Sequence, residues 1–184
     1  MLALREKLCY NIFMKFERYR KIYERQAAFY RTHPWAKRTL VCLNYALTGL
    51  IFATYLALLL ARVYAGEWYA LFLGLLFPTG CFCAVYLLRE LVRRKRPYDE
   101  SGAGIAPLFK KLHGSDKSFP SRHIAMAFSI GGVCLPWSLA LGVCVYAGGF
   151  LLGYIRYAAG LHFPTDLLGG ALIGGLFGIL IFAF

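Results

Sequence analysis

The sequence predicts an all-α integral membrane protein: a helical bundle of about five transmembrane helices, preceded by an N-terminal amphipathic helix lying in the interface. Three observations predict it. Hydrophobic residues make up 59% of the chain and charged residues 16%, which is not the composition of an ordinary soluble domain. The apolar residues come in blocks long enough to cross a bilayer, which takes about 20 residues per helix. The charges are gathered rather than spread: the net charge is +12, with one basic cluster at the N-terminus and another after the second apolar block. The 184 residues suit one domain, read as an interfacial helix over 1–36 and a transmembrane domain over 37–184. The N-terminal cluster suits anionic lipid headgroups, and no nucleic-acid-binding module accompanies the charge. Arg5, Glu6 and Lys7 interrupt the first apolar patch, so no cleavable signal peptide is expected.

Within residues 1–36, Leu8, Ile12, Phe13, Phe16, Tyr19 and Tyr23 recur at roughly helical spacing, with Lys15, Arg18, Lys21, Glu24 and Arg25 between them. That pattern predicts a helix with its aromatic side in the acyl region and its basic side in water. His33-Pro34 ends it, because the residue before proline avoids helical backbone. Residues 39–61 are uncharged and form the first predicted span. Residues 68–88 form the second, anchored by Trp68 and Tyr69, with Pro78 and Gly80 as a kink that a packed bundle tolerates. A basic stretch, 89–100, and a polar loop, 101–120, follow. From Ile124 to Ile155 nothing is charged. That run is too long for one span and predicts two, 121–135 and 137–156, broken at Pro136-Trp137-Ser138. Ser121 is the N-cap candidate of the first, whose shortness sets its start below the membrane surface. Pro164 opens the last span, 164–184, at a position where its missing N–H costs nothing. Gly149 and Gly153, and then Gly170, Gly174 and Gly178, repeat every four residues and predict close helix packing. The six cysteines lie mostly in apolar segments, and Cys81 and Cys83 are too close for paired zinc spacing. They read as buried thiols, with neither a disulfide framework nor a metal site.

Counting spans sets the end of the second, the start of the third, the end of the fourth and the start of the fifth on one membrane face. Arg89, Arg96, Ser121, Arg122, His123, Arg156, His162 and Asp166 converge there. A lone histidine near a helix start is usually structural. Two histidines, an aspartate and several arginines at one face are poorly explained by capping and snorkelling. Asp166, in the first turn of the last helix, is placed to bond one nitrogen of His162 and leave the other to attack. Guanidinium groups bind phosphate oxygens in pairs and stay charged. They can neutralise the oxygens of a phosphoryl group in flight, as metals do elsewhere. A second imidazole can protonate the leaving oxygen. The chemistry expected is phosphoryl transfer with no metal and no cofactor, since Asp99, Glu100, Asp116 and Asp166 on that side make no cluster to hold magnesium.

These segments resemble the three-part signature of the type 2 phosphatidic acid phosphatase superfamily, membrane lipid phosphatases related in fold to vanadium haloperoxidases. The family's first motif is Lys, six residues, then Arg-Pro; here Arg89 stands in the lysine position before Arg96-Pro97. The second is Pro-Ser-Gly-His; here it is Pro120-Ser121-Arg122-His123. The third is Ser-Arg, five residues, His, three residues, Asp; here Arg156, His162 and Asp166 match, and Ile155 replaces the serine. The resemblance spans residues 85–175, and residues 1–60 carry none of it. It implies His162 as the nucleophile that forms a phosphohistidine and Asp166 as the group orienting it. It implies His123 as the acid for the leaving group and later the base for water. Arg89, Arg96, Ser121 and Arg156 would hold the phosphate, and Arg122 would contribute its backbone N–H where the family has glycine. The Arg122 side chain either adds a phosphate or diphosphate contact or points into the headgroups. The family commonly has six spans; here the interfacial helix stands in for the first.

The leading expectation is a membrane enzyme that hydrolyses a lipid phosphate or diphosphate: polyprenyl diphosphate, a phosphorylated polyprenyl sugar, phosphatidylglycerophosphate or phosphatidate. A second reading is a phosphotransferase between lipids. A third is a non-catalytic binder of anionic lipids, which needs the arginines but not the acid–base pair. The partners expected are the lipid phosphate and the membrane, with no nucleic acid; the sequence does not set an oligomeric state. The location expected is the cell membrane, multi-pass. Of 21 Lys and Arg, only Arg62 falls on the face opposite the site, and ten lie within residues 1–38. The positive-inside rule then turns the site to the cytoplasm, although many members of the resembled family work on the outer or lumenal side.

Overall fold

The computed structural model describes residue 17 and residues 19–99, 105–109 and 117–184. The amphipathic pattern at Leu8, Ile12, Phe13, Lys15, Phe16 and Arg18, along with Cys9, Glu100 and Asp116, lies outside the described residues. Among the described residues six helices follow one another: α1 over 19–32, α2 Pro34–Tyr64, α3 Trp68–Val92, α4 Arg122–Cys134, α5 Leu139–Ala158 and α6 Pro164–Leu180, the last continued by a 3-10 turn, Ile181–Ala183. Among the described residues there is no strand, only a bridge between Lys95 and Lys117.

Helices α2, α3, α5 and α6 with its extension are long and apolar enough to cross a membrane. α4 differs. Its 13 residues rise only about 20 Å, against a hydrocarbon core of about 30 Å. Ten of its residues are buried, so it is enclosed by the other helices. The third predicted span is therefore a helix about two thirds of the length a full span needs, followed by a turn over 135–137. Trp137 lies under the Arg62 guanidinium at 5.4 Å, beside the α2–α3 turn. The ends of α3 and α5 and the starts of α4 and α6 do meet at one end of the bundle. Two boundaries differ from expectation. α2 begins at Pro34, where proline takes the first helical position, so the anticipated boundary after residue 36 falls in its first turn. α3 runs on to Val92, which places Arg89 inside the helix.

Glycine spacing sets how α4 and α6 meet. A Cβ on Gly170 would lie 2.7 Å from the Ser121 carbonyl oxygen, and one on Gly174 would collide with the Ala125 carbonyl. Farther down, a Cβ on Gly178 would sit 3.0 Å from the Cα of Gly132. Small residues at this spacing let two backbones touch. At the site end the contact becomes a hydrogen bond from Ser121 N–H to the Asp166 carbonyl, 2.9 Å. The N-termini of α4 and α6 are thereby held side by side.

α1 turns part of its aromatic side onto protein. Tyr19 and Tyr23, expected among acyl chains, are buried in protein with Ile105, Leu108 and Phe163. The Tyr23 hydroxyl donates to the Ala106 carbonyl at 2.7 Å, and the Tyr19 ring stands 5.0 Å from that of Phe163. Gly160, at φ +74°, leaves room for this, since a Cβ there would come within 2.7 Å of the Tyr23 ring. α1 is thus strapped across the α5–α6 turn.

Candidate active site

The third predicted motif straddles that turn. Arg156 comes from the last turn of α5, and His162 and Asp166 flank the start of α6; none is more than 3% exposed. Asp166 lies at the third position of α6, and its Oδ2 accepts the Phe163 N–H at 2.9 Å, a bond that satisfies one donor of the helix start. The same oxygen lies 3.6 Å from His162 Nδ1. Ser118, fully buried, donates a hydrogen bond to that carboxylate oxygen. Its Oγ also stands 3.5 Å from His162 Nδ1. Asp166 Oδ1 accepts from Arg94 at 3.0 Å. The Arg94 guanidinium also bonds Thr165 Oγ1 at 2.6 Å and lies over the Phe163 ring at 4.4 Å. The Nδ1 side of His162 thus faces a carboxylate and a hydroxyl, which leaves Nε2 to react. Burial drives the imidazole pKa down to about 4; the hydrogen bond to Asp166 opposes this, and the nearby Arg96 and Arg156 add to it. His162 is therefore neutral at neutral pH, the form that can attack.

The first motif supplies arginines by two routes. Arg89 reaches from α3 to the loop before α4, where its guanidinium donates to the carbonyls of Ser118 at 3.3 Å, Pro120 at 2.8 Å and Lys117. Arg93 closes α3 in a left-handed conformation, φ 48°, and the chain turns back so that the Arg94 carbonyl accepts from Ser118 N–H at 2.7 Å. Arg96, 2% exposed, bonds the Leu161 carbonyl at 3.2 Å, one residue before His162.

The second motif opens α4. Ser121 stands at the N-cap position as expected, yet its hydroxyl makes no cap bond. The first intrahelical bond runs from Ala125 N–H to the Ser121 carbonyl, and the amides ahead of it point out of the helix start. The buried Ser121 Oγ and Arg156 Nε have no hydrogen-bond partner among the described residues. Arg122 and His123, both half-buried, line a cavity of about 320 Å3 whose other walls are mainly apolar, including Ile51, Phe52, Phe82 and Met126.

All eight predicted site residues lie at one end of the bundle. Among the described residues, Arg89, Arg96 and Arg156 are buried there together with one carboxylate, Asp166, which Arg94 engages. Guanidinium groups gathered at one end of the bundle suit an anionic guest such as a phosphate. Among the described residues there is no group of three His, Cys, Asp or Glu that could hold a metal ion. Sequence reasoning missed Ser118, Arg94 and Tyr19, whose hydroxyl donates to the His162 carbonyl at 3.4 Å.

Residues 68–184 match the family model described as the PAP2 superfamily. A lipid A 4'-phosphatase of Bacteroides thetaiotaomicron is 34% identical over 52% of this chain and 44% of that protein. The undecaprenyl-diphosphatase BcrC of Bacillus subtilis is 35% identical over 39% of this chain and 37% of that protein. The chain thus spans less than half the length of these relatives. The crystal structure of LpxE from Aquifex aeolicus matches with a TM-score of 0.65 at 29% identity, over 83% of this chain and 88% of that one. A PAP2-type phosphatidylglycerolphosphate phosphatase from Bacillus subtilis matches with a TM-score of 0.60 over 95% and 94% of the two chains. At 24% identity that is a likeness of fold.

Proposed function

The chain belongs to the PAP2 superfamily, and from that premise we propose that it is a membrane lipid phosphatase. In this reading it hydrolyses a lipid phosphate or diphosphate, without a metal, through a phosphohistidine on His162. The observation that carries the reading is the gathering of buried Arg89, Arg96 and Arg156 around an imidazole whose Nδ1 faces Asp166 and Ser118. A simple anionic-lipid binder would have no use for the bonds that aim His162.

The terminal phosphate sits among Arg96, Arg156, the Ser121 hydroxyl and the outward amides of α4. Arg89 acts on it by shaping the 117–120 loop. His162 Nε2 attacks phosphorus, the bond to the bridging oxygen breaks, and the electron pair leaves with that oxygen. His123 delivers the proton that the oxygen takes up. The positive charge that develops on His162 is stabilised by Asp166, itself held by Ser118, Arg94 and the Phe163 amide. Then His123 takes a proton from water, the hydroxyl oxygen attacks phosphorus, and the N–P bond breaks to restore His162. The arginines stabilise charge on the transferring oxygens, the effect that usually dominates such sites.

The test is phosphate release by purified protein in excess EDTA across a panel of lipid phosphates and diphosphates. Release in EDTA is expected. Activity lost in EDTA and restored by magnesium would overturn the mechanism, and label passing to an acceptor lipid rather than to water would favour the phosphotransferase. The reading also has the site facing the cytoplasm, supported by α1 and its basic residues lying at the site end. In a cysteine-free background, cysteines introduced at Ser115 and at Gly66 test this in intact cells. An impermeant reagent should label position 66 and spare position 115; the opposite pattern reverses the assignment.

A further inference from the structure

We propose that Arg122 binds the inner phosphate of a lipid diphosphate, so that this site prefers a lipid diphosphate to a lipid monophosphate. The inference rests on the phosphatase reading above and narrows its substrate.

The argument begins with where the hydrocarbon chain goes. Two apolar cavities open on the helices near the site. One, of about 340 Å3, lies along α5 and α6 and has no histidine or arginine in its wall. The other, of about 320 Å3, runs along α2 and α4 and has Arg122 and His123 in its wall. In an in-line displacement the attacking and leaving atoms lie on opposite sides of phosphorus. His162 is closed in beneath α1 and the 117–120 loop. The leaving group therefore departs toward His123 and the second cavity. The atoms next beyond the bridging oxygen then lie at the mouth of that cavity, on the same turn of α4 as Arg122.

In a lipid monophosphate those atoms are carbon and hydrogen. In a diphosphate they are a second phosphate with an anionic charge and two free oxygens. Arg122 suits the second case. Among the described residues it is the one arginine in the cavity wall, and it makes no hydrogen bond or ion pair with them. It sits at the same end of the bundle as the buried Arg89 and Arg156. A half-buried cation against an apolar wall suits an anionic neighbour. The terminal phosphate has Arg96, Arg156 and Ser121 already. A guanidinium at position 122 can take both oxygens of the inner phosphate in paired hydrogen bonds. As the bridging bond breaks, negative charge spreads onto that inner phosphate. The contact then tightens in the transition state, the condition under which binding accelerates reaction.

The experiment compares initial rates on farnesyl diphosphate and farnesyl monophosphate, which share a chain and differ by one phosphate. The proteins are the full-length wild type and its Arg122→Gly, Arg122→Gln and Arg122→Lys variants, all in detergent micelles. The wild type is expected to show the higher kcat/KM on the diphosphate. In Arg122→Gly and Arg122→Gln both rates fall, the diphosphate rate at least tenfold further, and Arg122→Lys keeps part of the preference. A wild type that prefers the monophosphate, or a preference unchanged in both variants, would overturn the role of Arg122 and leave the phosphatase reading standing. A wild type that cleaves neither these two nor any lipid of the wider panel overturns both.

Discussion

His162 and His123 belong to one site but are housed in different ways. His162 is 2% exposed, with Ser118 and Asp166 on its Nδ1 side and Tyr19 on its carbonyl. His123 is half-buried on the first turn of a short helix, at the edge of an apolar cavity. A nucleophile gains from a fixed direction and a neutral ring, and burial with a hydrogen-bonded carboxylate provides both. An acid that meets the leaving group, and later water, needs access instead. The proposed roles of the two histidines fit this contrast in surroundings, and each prediction below breaks or sharpens it.

Removing the enclosed histidine has the largest effect. His162→Ala should lower kcat by at least ~10^4-fold on every substrate, since loss of a nucleophile leaves only binding and electrostatics. His123→Ala should cost about 10^2- to 10^4-fold on a lipid substrate. On p-nitrophenyl phosphate, whose leaving group needs little protonation, the loss should be at most about tenfold. Equal losses on both substrates would erase the contrast between the histidines.

Ser118→Ala tests the enclosure itself. It removes a hydrogen bond to a charged partner, worth about 1.5–3 kcal/mol. It should therefore lower kcat about 10- to 100-fold with little change in KM, because Ser118 aims the imidazole and does not hold substrate. A change confined to KM would move Ser118 into the phosphate cradle.

Enclosure also has a cost that pH reveals. The native imidazole takes a proton only near pH 4, whereas in the unfolded chain it does so near its ordinary 6.5. Between these values the unfolded state binds more protons. The stability contribution of the group is complete above about pH 6.5 and is lost as pH falls toward 4. Thermal melting in detergent should drop over that interval, and the drop should be shallower in His162→Ala. Identical pH profiles would show that His162 is not held neutral by burial. The smallest effect belongs to the outermost contact: Tyr19→Phe should cost no more than about 1 kcal/mol and change kcat by less than about threefold.

How much of this was legible follows the physics of each signal. Uncharged runs report spans because charge is expensive in hydrocarbon, and α3, α5 and α6 are close to where such runs lie. Convergence of the eight site residues followed from alternating direction through the spans. The stripe Gly170, Gly174, Gly178 read as a contact face, and it is one. The burial of Tyr19 and Tyr23 in protein was not legible, because an aromatic stripe on a basic helix suits lipid and a protein surface equally. Arg94 looked like one more cation in a basic run. Its bond to Asp166 depends on Arg93 turning left-handed, at a residue whose type gives no hint of it. Ser118, in a loop, carried no periodicity at all. Its place between His162 and Asp166 is fixed by Arg89 holding the carbonyls on either side of it.

The central claim is that His162 carries the phosphoryl group, and trapping it is the direct test. His123→Ala should still form the phosphoenzyme from an activated aryl phosphate but hydrolyse it slowly, since the same histidine serves both steps. The variant is incubated with labelled aryl phosphate in EDTA and quenched in alkali, where phosphohistidine survives, and its peptides are mapped by mass spectrometry. The account predicts stoichiometric label on His162, absent in the His123→Ala, His162→Ala double variant and lost in acid. Label on another residue, or an unlabelled His162 in protein that is still turning over, would contradict it.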